Sequence, residues 1–360
     1  MPLGVYVHIS FCFQKCRYCD FYSLGCSRSV PQEYVDALLR EIARWKQHAS
    51  WRRPSTVYFG GGTPSLLSPA QLESLLAALE PLPEAEITLE ANPGTADADR
   101  LRAFRAAGAN RLSIGVQTAF DASLQRLGRI HPAADSRIML QNAAAAGFDN
   151  VSGDVMLALP EYSLEELHAT LDLLCEGGVK HISSYLLKIE PGTPFGKCPP
   201  PNLPDEDAAA DFYLACAQAC AARGYAQYEI SNFALPGYES RHNLCYWECR
   251  DYIGIGPAAH SCLDGKRFYY PADTQDFLAG NRPVPDGECT AEDFILLQLR
   301  LAKGLSLTEL KEKWNVTFSA AQMAFLRQCA KNGLAAMEED RIRLTPRGLL
   351  VQNSILCRLI

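Results

Sequence analysis

Cys12, Cys16 and Cys19 place three thiols within eight residues, in the pattern Cys-x-x-x-Cys-x-x-Cys. Soft thiolates select iron–sulfur clusters or zinc, and a loop this short can turn all three toward one centre. Structural zinc takes four protein ligands, typically as two separated pairs. No second pair at matching spacing follows, so a zinc reading must recruit His8 or Cys26 as the fourth ligand. A four-iron cluster on three cysteines would instead keep one iron open to an outside ligand.

The elements that must position this loop read as alternating strands and helices. Val5 to Ile9 is a β-branched and aromatic run that ends at the cysteines, and further strands are expected at 55–59, 87–90, 111–117, 151–159 and 181–187. Between them lie apolar residues at helical spacing. Val35, Leu38, Leu39, Ile42 and Trp45 share one face after Pro31, and Leu72, Leu75, Leu76 and Leu79 follow a Ser68-Pro-Ala-Gln71 start. Further helices are expected at 97–107 and 135–146, after a Ser163-Leu-Glu-Glu166 cap, and at 207–223. Six strand–helix units with short connections predict a parallel sheet curled into a partial (β/α)6 barrel.

The expected organisation is a barrel over residues 1–224, an irregular segment over 225–288 with short strands at 228–230 and 267–270, and a small winged-helix-like helical domain over 289–360. In such barrels functional groups gather at the C-terminal ends of the strands, whose loops face one mouth. The cysteine loop ends the first strand, Gly60 to Thr63 the second, Glu90 the third and Gln117 the fourth, while Asp154 lies in the fifth.

Composition bounds the function further. The 360 residues are 48% hydrophobic and 21% charged, as in folded proteins, and a net charge of −7 argues against a nucleic-acid partner held by bulk charge. No run reaches the ~18 apolar residues of a membrane helix. No signal-peptide pattern opens the sequence, so the fourteen cysteines are expected to be reduced in the cytoplasm. Gly60 to Pro64 lacks the Gly-Lys-Ser/Thr ending of a nucleotide-triphosphate loop.

Tyr6-Val-His-Ile-Ser-Phe-Cys12 through Cys16-Arg-Tyr-Cys19-Asp-Phe21 resembles the cluster loop of radical S-adenosylmethionine (SAM) proteins. Within them it is similar to the branch that contains oxygen-independent coproporphyrinogen III oxidases and HemW-type heme chaperones. The resemblance implies a [4Fe-4S] cluster on Cys12, Cys16 and Cys19, with SAM on the open iron and reductive cleavage of SAM as the chemistry. It carries over Tyr6, Tyr18, Gly61, Gly62, Thr63, Glu90, Gln117, Arg129 and Asp154 as SAM-binding positions. Glycine backbone would approach the amino group, the carboxylates would accept from ribose hydroxyls or ammonium, and Gln117 and Arg129 would hold ribose and carboxylate.

A second motif separates the members of the branch. His242-Asn243-Leu-Cys-Tyr246-Trp247 is similar to the His-Asn-x-x-Tyr-Trp motif where heme binding is placed in HemW-type chaperones. That resemblance implies heme as a third cofactor, with His242 a neutral imidazole ligand and Tyr246 and Trp247 packing on the macrocycle. Phe21 stands where the oxidases carry an additional cysteine, and only eleven residues precede Cys12 where they have a long segment. The expected function is therefore a heme chaperone that passes heme to acceptor proteins, including membrane respiratory components, with an electron donor for its cluster. The alternative is a coproporphyrinogen III oxidase (dehydrogenase).

Overall fold

A computed structural model describes residues 2–360. Six strand–helix units come first: β1 Gly4–Ile9, α1 Gln32–Trp45, β2 Thr56–Gly61, α2 Pro69–Leu79, β3 Glu86–Ala91, α3 Ala98–Ala107, β4 Arg111–Gln117, α4 Asp121–Leu127 with α5 Ala133–Ala145, β5 Val151–Leu157, α6 Leu164–Glu176 and β6 His181–Leu186. The strands lie side by side in sequence order and all run parallel. Helix α4 was not expected, because seven residues are too few to display a helical period.

Local chemistry sets the helix ends. Ser68 and Gln71 close a full capping box at α2. Ser163 makes only half of one: it accepts from the Glu166 N–H, while the Glu166 carboxylate turns inward to Thr118 Oγ1 at 2.5 Å and Ser123 Oγ at 3.1 Å. Two buried hydroxyls outcompete an end that water can reach.

Side chains alternate along every barrel strand, with an unusual assignment of the two faces. Val5, Val7, Val57, Phe59, Leu89, Leu112, Ile114, Val155 and Ile182 are fully buried in the main core with the helices. The opposite parity carries Tyr58, Glu90, Arg111, Ser113, Asp154, Ser183 and Tyr185, which face a cavity. Parallel barrels normally fill their interior with branched apolar residues. A polar interior here makes the lumen a binding site.

After α7 Pro194–Lys197 and α8 Glu206–Ala222, the segment expected to be irregular apart from two short strands holds both of them and several further elements. It supplies β7 Ala226–Glu229, β8 Asn232–Ala234, α9 Arg241–Trp247, β9 Tyr252–Ile255, β10 His260–Leu263, β11 Lys266–Tyr269, α10 Thr274–Leu278 and β12 Val284–Glu288. These strands extend the same sheet at both edges, in the order β12-β11-β10-β9-β1-β2-β3-β4-β5-β6-β8-β7. Strands of three to five residues are too short to register an alternation, and β12 is exposed throughout.

A second apolar core follows, built on Phe294, Ile295, Leu299, Leu310, Leu326, Ile342 and Leu356. It joins α11 Ala291–Gln298, β13 Leu305–Ser306, α12 Leu307–Trp314, α13 Ala320–Lys331, β14 Ala335–Met337, β15 Arg341–Leu344, α14 Pro346–Leu350 and α15 Gln352–Leu356. Its three strands pair antiparallel in the order β13-β15-β14, a wing beside helices.

Candidate functional site

The cysteine loop leaves the C-terminal end of β1 and is pinned by backbone bonds on both sides. Cys12 N donates to Leu24 O at 2.9 Å, Leu24 N to Ser10 O at 2.7 Å and Arg17 N to Leu127 O at 3.0 Å. Ser10 bonds Tyr34 through its hydroxyl at 3.0 Å, a contact that proline would lack. All three cysteines line one cavity of about 460 Å³ at the mouth of the barrel, and burial pushes the Cys19 thiol up to about 11.

The donor set fits a cluster better than zinc. His8 has both ring nitrogens engaged, Nδ1 with Tyr6 OH at 3.1 Å and Nε2 with Tyr22 O at 2.8 Å, so it offers no fourth ligand. Cys26 is exposed and lies outside the cavity lining. Among the described residues no three cysteine, histidine or carboxylate side chains are drawn round one metal-sized point. A single zinc ion requires that convergence, whereas thiolates on a cluster bind different irons.

Opposite the thiols stand the polar strand ends. Tyr58 OH donates to Glu90 Oε1 at 2.8 Å, and burial, with Asp154 adding to it, raises the Glu90 carboxyl to about 7. Asp154 is also raised by burial, restrained by Ser183, Arg111 and Ser113, whose hydroxyl donates to it at 3.2 Å. Gln117 ends β4 with φ 67, a left-handed conformation that costs a non-glycine residue free energy, and its side chain lines the cavity. Arg129, just past α4, holds Asn92 Oδ1 at 2.7 Å, Gly115 O at 2.5 Å and His131 Nε2 at 3.0 Å, with Cys16 Sγ at 3.6 Å. Tyr18 lies against Cys16 and Arg129, and burial raises its phenol well above the usual range.

Gly61, Gly62 and Thr63 all line the cavity, and the backbone of the last two also ties the end of β2 to the cysteine loop. Gly62 N donates to Ile9 O and Thr63 N to Phe11 O, each at 2.8 Å. A Cβ on Gly62 would stand 2.5 Å from Phe11 O, so glycine there lets β2 close onto the cysteine loop. Any contact with a ligand's ammonium must use the carbonyl oxygens. Thr63 itself reaches Cys12 Sγ at 3.6 Å and accepts from Asn92 Nδ2 at 3.0 Å.

Tyr6 lies outside the cavity lining, its ring stacked on Tyr58 at 6.1 Å and its hydroxyl on His8. The His242 motif forms α9, which packs at the N-terminal ends of the strands. His242 is fully buried, with Nδ1 at 2.8 Å from Thr56 Oγ1 and Nε2 at 2.7 Å from Tyr246 OH, and its N–H donates to Glu86 at 3.0 Å. Burial, helped by Arg111, lowers its imidazole to about 3. Tyr246 meets Tyr252 edge-on at 4.6 Å. Trp247 points to the second domain, its carbonyl accepting from Gln298 at 2.8 Å and its ring under Arg300 at 5.4 Å. Of the four motif residues only Asn243 reaches the cavity, as part of its floor.

Sequence reasoning missed Asn92, Arg111, Ser113 and Ser183. Among the described residues Arg111 is the largest fully buried side chain, and neither its Nε nor the buried Thr88 Oγ1 has a hydrogen-bond partner. A signal was present: polar residues two apart inside apolar strands, as in Thr88/Glu90, Arg111/Ser113, Ser152/Asp154 and His181/Ser183. The mouth is apolar, with exposed Phe13, Phe21, Ile130, Tyr185 and Leu186 on its rim.

Comparison with known proteins bears on this geometry. Residues 6–174 match the model of the Radical SAM superfamily and residues 288–351 that of the HemN C-terminal domain. The chain is 46% identical to the Escherichia coli protein named heme chaperone HemW, over 72% of this chain and 70% of that one. It is 35% identical to the Haemophilus influenzae protein of the same name, over 99% and 97%. The solved structure of the E. coli coproporphyrinogen III oxidase HemN, described as a radical SAM enzyme, superposes with a TM-score of 0.84 at 25% identity. It covers 99% of this chain and 89% of that one.

Proposed function

The chain belongs to the heme chaperone HemW family of radical SAM proteins, and from that premise we propose that it binds heme and passes it to acceptor proteins. The observation that carries this reading is the single cavity at the barrel mouth, where three thiols face two raised carboxylates and Arg129 beneath an apolar rim. Cys12, Cys16 and Cys19 would hold a [4Fe-4S] cluster. When bound, that cluster supplies the electron for reductive cleavage of SAM.

The protein's own residues do the positioning. Arg129 is fixed by three oxygen and nitrogen partners, so its guanidinium is oriented before a carboxylate arrives. Glu90 and Asp154 accept from ammonium or ribose hydroxyls, and Gln117 and Tyr18 complete the walls. Gly61, Gly62 and Thr63 line the pocket, where their carbonyl oxygens would meet the ammonium, and the last two also hold the cysteine loop against β2. Tyr6 acts from behind Tyr58.

We assign His242, Asn243, Tyr246 and Trp247 to heme binding through an opened α9. In the closed arrangement both imidazole nitrogens of His242 are occupied. Ligation of iron therefore requires release of Tyr246 or Thr56, and the neutral imidazole is ready for it without losing a proton. Among the described residues no helix is long and apolar enough to cross a membrane. A cytoplasmic place of action, an electron donor and acceptors among membrane respiratory components belong to the same proposal.

The test is anaerobic protein reconstituted with iron and sulfide, titrated with heme and assayed in parallel with coproporphyrinogen III, SAM and a reductant. Stoichiometric heme binding without turnover supports the chaperone. Repeated turnover without heme binding supports the second reading, a coproporphyrinogen III oxidase, which the superposition on HemN favours.

A further inference from the structure

The floor of the barrel holds a positive charge that the ligand positions at the mouth do not use. Arg111 opens β4 and is 1% exposed, with its side chain lining the same cavity as the cysteines. Alternation along the strand sends Leu112 and Ile114 to the helices, and Arg111 and Ser113 into the lumen. Thr88 of β3 is the register partner of Arg111, and neither Arg111 Nε nor Thr88 Oγ1 has a hydrogen-bond partner. Among the described residues Arg111 forms no ion pair.

Two buried carboxylates share the lumen, and other groups bond them. Asp154 accepts from Ser113 at 3.2 Å and Glu90 from Tyr58 at 2.8 Å. Charge balance alone would be served by a forked pair between Arg111 and one of these acids, and no such pair forms. A buried guanidinium without a partner is costly, and its fork matches a planar group with two acceptor oxygens. A carboxylate fits better than a phosphate, because Glu90 and Asp154 would repel a second negative charge.

The place of Arg111 in the strand indicates where that carboxylate comes from. Gln117 ends the same seven-residue strand, so at the rise of a strand the mouth is roughly 20 Å away. At the mouth Arg129, fixed by Asn92, Gly115 and His131, is already oriented for a carboxylate. At the floor the neighbour is α9. Asn243 shares the cavity lining with Arg111, and the His242 ring lies 5.2 Å from the ring of Tyr58, which lines it too.

We propose that Arg111 is a carboxylate subsite that pairs with a propionate of heme bound at an opened α9. This rests on the assignment of heme to that helix. Heme carries its two propionates on one edge of the ring. With iron at His242 that edge turns toward the lumen, and one propionate takes the fork of Arg111 beside the Thr88 hydroxyl. The carboxylate of SAM has the same chemistry, and the two arms of the test separate the sources.

The first arm titrates cluster-loaded protein, followed at the Soret band, with hemin and with iron etioporphyrin, which keeps the ring and iron but has no carboxylate. The natural protein, Arg111→Met and Arg111→Lys are compared. The natural protein should bind hemin about tenfold more tightly or better, the margin of a charge-assisted pair. Arg111→Met should bring that ratio close to one by weakening hemin alone. Arg111→Lys keeps the charge but not the fork, and should lower the ratio at least about threefold; this variant decides if Arg111→Met does not fold. The second arm measures SAM and decarboxylated SAM by calorimetry, and their affinity ratio should stay within about twofold in all three proteins. A hemin ratio near one in the natural protein, or one that survives substitution of Arg111, overturns the subsite and leaves heme binding in place. A change confined to the SAM ratio overturns the heme source. Absence of hemin binding in every protein removes the heme reading itself, and this subsite with it.

Discussion

Replacing Tyr246 with phenylalanine removes one hydroxyl, the partner of His242 Nε2 at 2.7 Å, and keeps the ring that meets Tyr252. A buried neutral hydrogen bond is worth about 1 kcal/mol net. If His242 is the iron ligand of an opened α9, heme must displace that hydroxyl in the natural protein and need not in the variant. Tyr246→Phe should then bind heme about fivefold more tightly, the factor that about 1 kcal/mol commands. No proton competes for the nitrogen at pH 6 to 8, because burial holds the imidazole at about 3. The assay is an equilibrium heme titration followed at the Soret band, beside a denaturant melt of each protein. Unchanged or weaker heme binding, with the melt about 1 kcal/mol less stable, would refute the ligand role and leave α9 as a plug for the barrel. His242→Ala is a poorer probe: it strands the Thr56 and Tyr246 hydroxyls in a new cavity, costs about 3 kcal/mol or more, and so loses heme on either reading.

Cys16→Ala should drop iron and sulfide content to background after reconstitution while circular dichroism stays unchanged, since backbone bonds already hold the loop; unfolding of the metal-free variant would point to a structural metal instead. Arg129→Lys loses the planar fork that meets Asn92, Gly115 and His131, and SAM affinity measured by calorimetry should fall at least about tenfold; equal affinity would remove Arg129 from the site. Glu90 has a folded carboxyl at about 7 against an ordinary 4.5, so it weakens the fold as pH rises from 4.5 to 7 and no further above that. Glu90→Gln should therefore gain about 2 to 3 kcal/mol on the natural protein between pH 5 and pH 8 in thermal melts, and parallel curves would contradict the raised carboxyl.

The barrel was legible because its units are long and regular. Strands of six or seven residues and amphipathic helices such as 32–45 leave a period that survives any tertiary detail. The cysteine loop was legible because three thiols so close have few uses. Most short elements were not: beyond strands near β7 and β11, the segment from 225 to 288 and α4 hold elements too short to show a period, so the segment looked irregular although it extends the sheet at both edges. Asn92, Arg111, Ser113 and Ser183 escaped because a polar residue in a strand reads as solvent-facing until the sheet is known to curl around it.

The sequence by itself determined the parallel barrel, the cysteine loop and the family resemblance, all of which depend on residue types at short separations. The tertiary structure alone decided that Gly62 and Thr63 donate their N–H groups to the cysteine loop and the end of β1, that His242 is bonded at both nitrogens, and that Arg129 is held by Asn92, Gly115 and His131. Each of those facts depends on groups brought together from distant parts of the chain. Burial then sets their protonation and their partners, and burial is a property of the folded surroundings rather than of any one residue.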